Sequence, residues 1–396
     1  MNKAVVLGCN YYIGLSIIRC LGREGVDVVA CDYDFKDSYG AKSTYIREFL
    51  QVANFNENEQ QTLSDLMEYG KHQAEKPVLL PSHDKYVEFI DRYYDELEEY
   101  YLISQAKGLN SQLLDKWVLH DIAHQHGVRV PATIHSQDEQ LFERVVNELG
   151  FPCIIKPFDT VIFTKIFRNK VFICHNEDEL KIGIQKAKEN DIDVFVQEII
   201  PGFDDCMLTY DFHIDRTGKT SHYMTAQKQR QWPINFGASV FTIQKYNQKL
   251  VDISKPFLEA IGYRGFGEIE FKQHDKTGEI YLIEINARTT NFNHMIYKVG
   301  LNMPYIAYLD LTGQLKESDY KYIDYNTNYA FIYGFEDVVA IWHYWKTGQV
   351  GILKSLKISF SKKWAPAIFS ISDIRPWLFF NQRLLGKVVN KMFRRK

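Results

Sequence analysis

The sequence has few of the features that would place a protein outside the cell or across a membrane. Its six cysteines form no CxxC pair and have no histidine partners at zinc-site spacing. Each is interpreted as a small buried apolar residue in a reducing cytosol. The first residues, MNKAVVLGCN, lead into a strand pattern and lack the apolar region of a signal peptide. With no uninterrupted run of about 18 apolar residues either, we expect a cytoplasmic protein without a membrane-spanning helix.

Acidic residues are scarce in the C-terminal part. Residues 341–396 contain 12 Lys and Arg but one acid, Asp373, a local charge of +11. Because the whole chain carries −3, residues 1–340 carry −14. This tail is also aromatic, and such a mixture can lie on an anionic membrane surface. The alternative is a basic subdomain that packs its aromatics on the main body. No recognition motif accompanies the charge, so no nucleic acid partner is expected.

Disorder is not expected over most of the chain, because 396 residues include 26 Phe and 25 Tyr. This length allows two or three domains. At the N-terminus, KAVVLG, a glycine turn, a helix pattern and VDVVACD predict a βαβ unit. Gly8 and Gly14 would serve the turn, but the pattern departs from GxGxxG, so a dinucleotide site is not favoured. The next strand ends in Ser82, His83 and Asp84, a helix start or a substrate contact.

Residues 265–293 contain two strand-like runs, GEIEFKQ and EIYLIEINAR, around a predicted hairpin turn. Alternation can place Glu270, Glu284 and Asn286 side by side, with Arg288 one step further. Carboxylate and amide oxygens suit Mg²⁺, which shares its coordination with phosphate oxygens. The alternative is an edge hairpin whose polar face is exposed to solvent and binds no ligand. The strand pattern leaves both interpretations open.

Several residues between the N-terminal βαβ unit and the predicted hairpin at 265–293 would suit an anionic ligand. Lys156, in the apolar strand GFPCIIKP, would be costly to bury without an anionic partner. Lys228 and Arg230 share one face of a later strand. His120 and His124 stand at i, i+4 spacing, but without a third ligand an exposed helical face is the preferred interpretation. The segment VIFTKIFRNKVFIC is predicted to form strands around a turn at 168–169.

Taken in order, these motifs resemble the ATP-grasp superfamily from residue 1 to about residue 315. The most specific part is the EIN-x-R element with its upstream GxxEIEF strand. The resemblance implies ATP and Mg²⁺ as cofactors, with Mn²⁺ as a substitute. The residues it implies are Lys116, Lys156, Gln197, Glu198, Ile200, Asp204 and Lys228 for ATP, Glu270, Glu284 and Asn286 for the metal, and Arg230 and Arg288 for the γ-phosphate and the intermediate.

The implied fold class is α/β and α+β. A Rossmann-like N-terminal domain (1–110) would precede a two-subdomain ATP-grasp fold. The small subdomain with its linker helix would span 111–195 and the large one 196–318. A C-terminal extension (319–396) would be basic from 341.

The implied activity is an ATP-dependent ligation of a small carboxylate and an amine through an acylphosphate. QKQRQWPINFGAS and the tail look most like D-aspartate ligase and the large-subunit domains of carbamoyl-phosphate synthase, which suggests joining an amino acid to a peptide or cell-wall precursor. The tail would then make the protein peripheral at the inner face of the membrane. The alternative is a non-catalytic ATP-binding scaffold that docks through the tail. Without a carrier domain, biotin carboxylase-like activity is less expected.

Two departures from the family pattern stand out. The family often carries a glycine-rich flap that closes over the phosphates soon after the second lysine. The segment after Lys156 has no glycine, so side chains such as Lys165 or Arg168 would have to contribute to this closure. The adenine hinge that the resemblance implies, residues 197–200, begins with Gln197 instead of the commoner Glu. The amide oxygen of Gln197 can still accept a hydrogen bond from the adenine amino group.

Overall fold

The computed structural model describes the backbone of residues 2–393, and the side chains of these residues except at 161 and 387–393. The basic end of the predicted tail, 387–396, therefore lies outside the described side chains. Two compact units divide the chain: residues 1–114, 209–269 and 285–396 form the first, and residues 115–208 and 270–284 form the second. The four domain boundaries given above stay a prediction.

A parallel sheet opens the first unit and confirms the predicted βαβ start. Five described strands pair in the order β3-β2-β1-β4-β5. Gly8 has φ +80°, and a Cβ at Gly14 would lie 2.0 Å from the Gly8 carbonyl oxygen, so both positions favour glycine. The strands are β1 (Ala4–Leu7), β2 (Val28–Asp32), β3 (Ile46–Gln51), β4 (Val78–Pro81) and β5 (Leu102–Ile103). The helices are α1 (Tyr12–Gly22), α2 (Glu59–Lys71), α3 (Asp84–Arg92), α4 (Tyr94–Glu98) and α5 (Leu109–Leu114).

The second unit contains an antiparallel sheet of the order β6-β9-β7-β8 among its described strands. These are β6 (Thr133–His135), β7 (Cys153–Pro157), β8 (Phe172–Cys174) and β9 (Val194–Glu198). Its helices are α6 (Lys116–Gln125), α7 (Leu141–Arg144), α8 (Thr160–Phe167) and α9 (Glu177–Glu189).

Helix α8 corrects the prediction of strands on both sides of residues 168–169. The Asp159 carboxylate accepts from the Ile162 amide at 2.9 Å and starts the helix. Phe163 and Phe167, four residues apart, pack on one face with ring centroids 4.7 Å apart. Arg168 then adopts φ +59° and ends it. The predicted role of Lys165 and Arg168 in closing over the phosphates stays a prediction. Lys165 lies within helix α8, and Arg168 follows the last residue of this helix.

A large mixed sheet with the order β14-β13-β10-β11-β12-β16-β17, and β15 paired to β11, follows in the described chain. Its strands are β10 (Met207–Ile214), β11 (Thr220–Trp232), β12 (Ala238–Gln244), β13 (Gly265–Gln273), β14 (Ile280–Asn286), β15 (Lys321–Ile323), β16 (Tyr329–Ile332) and β17 (Lys363–Pro366). The remaining helices are α10 (Gln248–Ala260), α11 (Asn293–Val299), α12 (Met303–Leu311), α13 (Gly334–Lys346), α14 (Ile352–Phe360) and α15 (Arg375–Phe393). The predicted hairpin at 274–278 is confirmed as the connection between β13 and β14.

The C-terminal tail is built into the first unit. β17 extends the large sheet by pairing in parallel with β16. Asp373, the one acid of residues 341–396, is buried and accepts from Arg19 Nε of α1 at 2.9 Å and from Ser43 Oγ at 2.7 Å. The part of the tail that the structure describes thus packs on the main body. No helix within the described residues is both long and apolar enough to cross a bilayer.

Candidate functional site

Lys156 is a partly buried cation of the second unit. It lies on β7, and its Nζ donates to Gln197 Oε1 of β9 at 2.6 Å. Burial and, to a smaller extent, the nearby Lys116 charge lower the pKa of Lys156 to about 8, while the Glu284 carboxylate acts in the opposite direction. The hydrogen-bond partner is a neutral amide, so it does not neutralise the ammonium. An anionic ligand would.

A chain of hydrogen bonds orients the amide of Gln197. Its Nε2 donates to Thr133 Oγ1 at 3.0 Å, and this hydroxyl donates to the Pro131 carbonyl oxygen at 2.9 Å. The hydroxyl proton is thereby used, so His120 Nδ1, at 3.4 Å from the same Oγ1, is placed to donate. These bonds fix the amide so that its oxygen faces Lys156.

His120 lies in this chain rather than on an exposed helical face, and the prediction of an exposed face is wrong for this residue. Burial lowers the pKa of His120 to about 4, with the charges of Lys156 and Lys116 acting in the same direction, so its ring is neutral at pH 7. His124 is exposed as predicted. The signal that could have identified His120 is its position one turn after Lys116 on the same helix.

Lys116 begins helix α6, where the Asp115 carboxylate caps the helix by accepting from the Trp117 amide at 2.8 Å. Its Nζ lies 3.4 Å from the Pro157 carbonyl oxygen and 3.4 Å from Thr160 Oγ1. Both atoms belong to the segment that follows Lys156. The structure thus brings the two predicted phosphate lysines to the carboxyl end of β7.

Glu270 and Glu284 stand on the neighbouring strands β13 and β14, and both are half-buried. Their oxygens suit Mg²⁺, so this donor set fits the implied metal. Among the described residues, no group of three or more His, Cys, Asp or Glu is arranged around a metal position. Further ligands for a metal at Glu270 and Glu284 would therefore be an amide, water or phosphate oxygens.

Asn286 and Arg288 belong to the first unit and form a polar network there. Asn286 donates to Glu268 Oε2 at 3.2 Å and accepts from Arg288 Nη2 at 3.0 Å. Arg288 also pairs with Asp84, with 2.8 Å between Nε and Oδ1. The Asn286 side-chain oxygen that is predicted to bind the metal thus accepts a hydrogen bond from the Arg288 guanidinium. When a metal binds, the guanidinium must move away or share this oxygen with the metal. Asp84 is the first residue of α3, shortly after strand β4. Nothing in the sequence indicates its pairing with Arg288.

Arg230 is bound to a carboxylate within the protein, and its predicted contact with the γ-phosphate stays a prediction. It is 3% exposed, and its Nε and Nη2 bind the two carboxylate oxygens of Asp337 at 2.6 and 2.9 Å. Nη2 also donates to Ser359 Oγ at 2.7 Å. This arrangement marks Arg230 as a structural cation. Lys228 is buried on the same strand, opposite Thr242.

The predicted adenine hinge forms the end of β9 and the loop after it. The Glu198 amide donates to the Ala132 carbonyl oxygen at 3.0 Å, so any adenine contact by its backbone must come from its carbonyl. A cavity of about 400 Å³ in the second unit is lined by Glu198, Ile200 and Tyr281 among others, but by neither Lys116 nor Lys156. Asp204, the predicted ribose ligand, is 1% exposed.

The chain is similar in sequence to several known proteins. Residues 123–306 match the family model described as D-ala D-ala ligase C-terminus. The chain is 25% identical to the D-aspartate ligase of Enterococcus faecium over 241 residues, 58% of this chain and 57% of that protein. It is 23% identical to the N-terminal section of the carbamoyl phosphate synthase large chain of Methanopyrus kandleri over 164 residues, covering 39% and 28%. The chain thus spans little more than half of the first relative.

Solved structures share the fold. The biotin carboxylase domain of the Hydrogenobacter thermophilus 2-oxoglutarate carboxylase, in complex with MgADP, ADP and bicarbonate, superposes with a TM-score of 0.64. The match has 16% identity and covers 83% of this chain and 73% of that one. At this identity the likeness shows the fold. Fold, family model and relatives agree that the chain has an ATP-grasp fold.

Proposed function

We propose that the protein is an ATP-dependent ligase that joins a carboxylate to an amine through an acylphosphate. The observation that carries the proposal is Lys156, a cation with a pKa of about 8 whose hydrogen-bond partner in the second unit is an amide. Binding of a phosphate there would supply the missing charge. The names of the relatives, above all D-aspartate ligase, support an amide-forming reaction.

In the proposed reaction, an oxygen of the substrate carboxylate attacks the γ-phosphorus of ATP and ADP leaves. The amine then attacks the acyl carbon, phosphate leaves and the amine loses a proton. Lys116 and Lys156 hold phosphate oxygens, which lowers the cost of charge on the transferring group. Positioning and charge do this work without a nucleophilic side chain.

The proposed metal ligands are Glu270 and Glu284, with Asn286 two residues further along β14. A bound Mg²⁺ supplies electrostatic stabilisation of the phosphoryl group. Arg288 exchanges its contact with Asn286 for one with the γ-phosphate or the acylphosphate. Asp84, which pairs with Arg288 in the structure, orients the guanidinium. The proposed nucleotide contacts also include the hinge backbone at Glu198 and Ile200, whereas Asp204 and Lys228 would need local rearrangement to reach a ligand.

The relatives favour an amino acid as one of the two substrates. D-aspartate ligase is an amino acid ligase by name, and we propose that the amino acid is joined to a peptide or a cell-wall precursor. ADP release should be measured with a panel of amino acids, including both enantiomers of aspartate, with and without peptide acceptors. ADP release that depends on one particular acid and one amine would support the proposal.

Glu284→Ala tests the metal assignment, with Glu189→Ala, an exposed carboxylate of the same unit, as the matched control. We expect substrate-dependent ADP release to fall about 100-fold or more in the first variant and to stay unchanged in the second. Full turnover by Glu284→Ala would remove Glu284 from the site. ATP binding without substrate-dependent release under any pairing would favour the non-catalytic scaffold.

A further inference from the structure

Helix α14 presents the reverse of the usual amphipathic pattern. Helices of water-soluble proteins turn an apolar stripe to the core and polar residues to solvent. In α14 the buried residues are Ser355 and Ser359, whereas Leu353 is 85% and Phe360 is 72% exposed. Leu353, Leu356 and Phe360 follow i, i+3, i+7 spacing and so share one exposed face.

The ion pair beneath α14 explains one of the two buried serines on its inner face, Ser359. Ser359 Oγ accepts from Arg230, which pairs with Asp337 of α13. A buried charged pair needs hydrogen-bonding neighbours, so small hydroxyl side chains fit there better than leucine. The apolar side chains of α14 are therefore not accommodated on the buried side of the helix. Their exposure is thus a consequence of how the helix is anchored.

Helix α13 packs beside α14 and repeats the pattern on its outer side. Phe335, Val338, Trp342 and Trp345 are exposed at i, i+3, i+7, i+10 spacing. The opposite side is buried and contains Asp337 and Tyr344. We refer to the exposed apolar residues of α13 and α14 together as the α13–α14 face. Exposed apolar side chains in this number on two neighbouring helices mark an interaction site.

The fully exposed charges on α13, α14 and β17 are all positive. Lys346, Lys354, Lys357 and Lys363 are exposed, and Lys346 Nζ lies 5.3 Å from the centre of the Trp342 ring. Of the two acids on α13, Asp337 is buried with Arg230 and Glu336 is half-buried. α14 and β17 contain no acid. The charge pattern therefore calls for an anionic partner.

We propose that the α13–α14 face binds the surface of an anionic lipid bilayer. Leucine, phenylalanine and tryptophan enter the boundary of the acyl chains, while the flanking lysines reach the headgroups. A second copy of the chain would bring lysine against lysine, which is unfavourable. Exposed aliphatic side chains such as Leu353 suit lipid better than nucleic acid.

The test is co-sedimentation of the full chain with vesicles, a readout that needs no turnover and stands apart from the proposed ligase activity. The vesicles are phosphatidylcholine alone or phosphatidylcholine with phosphatidylglycerol. We expect binding to the anionic vesicles and its loss in high salt. Leu353→Ser with Phe360→Ser should lower the partition coefficient at least about tenfold. Lys354→Glu with Lys357→Glu should lower it by about as much.

Matched controls come from α9, whose Ile182 is also exposed. Ile182→Ser, and separately Lys186→Glu with Lys188→Glu, should bind vesicles as the parent does. Equal melting temperatures would show that all variants are folded. Deletion of 341–396 is a poor test, since it removes β17 and the partner of Arg19.

Four outcomes would overturn the proposal. They are absence of binding to anionic vesicles, equal binding to neutral vesicles, a dimer that Leu353→Ser with Phe360→Ser converts to a monomer, and binding to nucleic acid in place of vesicles.

Discussion

Two cations on β-strands, the partly buried Lys156 in the second unit and the buried Arg230 in the first, have opposite surroundings. Arg230 meets a carboxylate through two nitrogens, so its charge is neutralised within the protein. Lys156 donates to a neutral amide oxygen, and the Glu284 carboxylate offsets only part of the effect that burial has on its charge. Both residues fitted an anion site in the sequence. The difference teaches that the partner of a buried cation, rather than its burial, separates a binding group from a structural one.

The largest expected effect concerns the structural cation. Arg230→Met leaves the Asp337 carboxylate buried without its partner, and we expect the free energy of unfolding to fall by about 3–5 kcal/mol. Urea denaturation measures this. The matched variant, Arg230→Met with Asp337→Leu, should recover most of the loss, because it removes both charges. An equally unstable double variant would show that the packing, and not the lone charge, is at fault.

Lys156→Met should give the reverse result. We expect ADP release to fall about 100-fold, since a donor to the transferring phosphate is lost. Stability should stay unchanged or rise, because a buried charge is removed. Calorimetry of ATP binding and urea denaturation separate the two effects. A large loss of stability would place Lys156 with Arg230 as a structural cation.

Gln197→Glu would make Lys156 resemble Arg230. The native lysine loses its proton near pH 8, so ATP affinity should fall as the pH rises through that value. A carboxylate at 197 favours the ammonium and should move this midpoint up by about one pH unit or more. It should also weaken ATP binding below pH 8, since the cation is already neutralised. ATP titrations from pH 6.5 to 9.5 would measure both. An unmoved midpoint would show that another group titrates.

The same lysine sets the sign of a stability change with pH. Its folded pKa of about 8 lies below the ordinary 10.5, so between these values the unfolded chain binds more protons. Stability should therefore rise with pH across this window. Lys156→Met should lack this rise.

The smallest expected effect belongs to Thr133→Val, which keeps the shape of the side chain but removes the acceptor of the Gln197 amide. Loss of one hydrogen bond should cost about 1 kcal/mol of stability, and ADP release should fall several-fold because the Gln197 amide is free to turn. Loss of turnover as complete as in Lys156→Met would mean that Thr133 does more than position Gln197.

Sequence motifs predict the fold class and the local elements on which several candidate site residues stand. The βαβ start, the hairpin and Lys156 on its strand follow from alternation and glycine positions. The partners of Arg230 and Arg288 lie 107 and 204 residues away, and no local pattern indicates such pairs. The burial of His120 depends on a sheet formed by later residues. Helix α8 was missed because its apolar run suits a strand as well as a helix until the Asp159 cap and the Phe163–Phe167 contact are seen.

The ion pair between Arg19 and Asp373 has a consequence for the order of events on the ribosome. The two residues are 354 positions apart, and Arg19 on the first helix is buried against the tail. During translation, the Arg19 cation of this helix has no partner until Asp373 has been synthesised. The N-terminal sheet can form early, but its final packing must follow the translation of residue 373. Truncated products that end before this point would therefore expose Arg19 and the α1 surface around it to proteases.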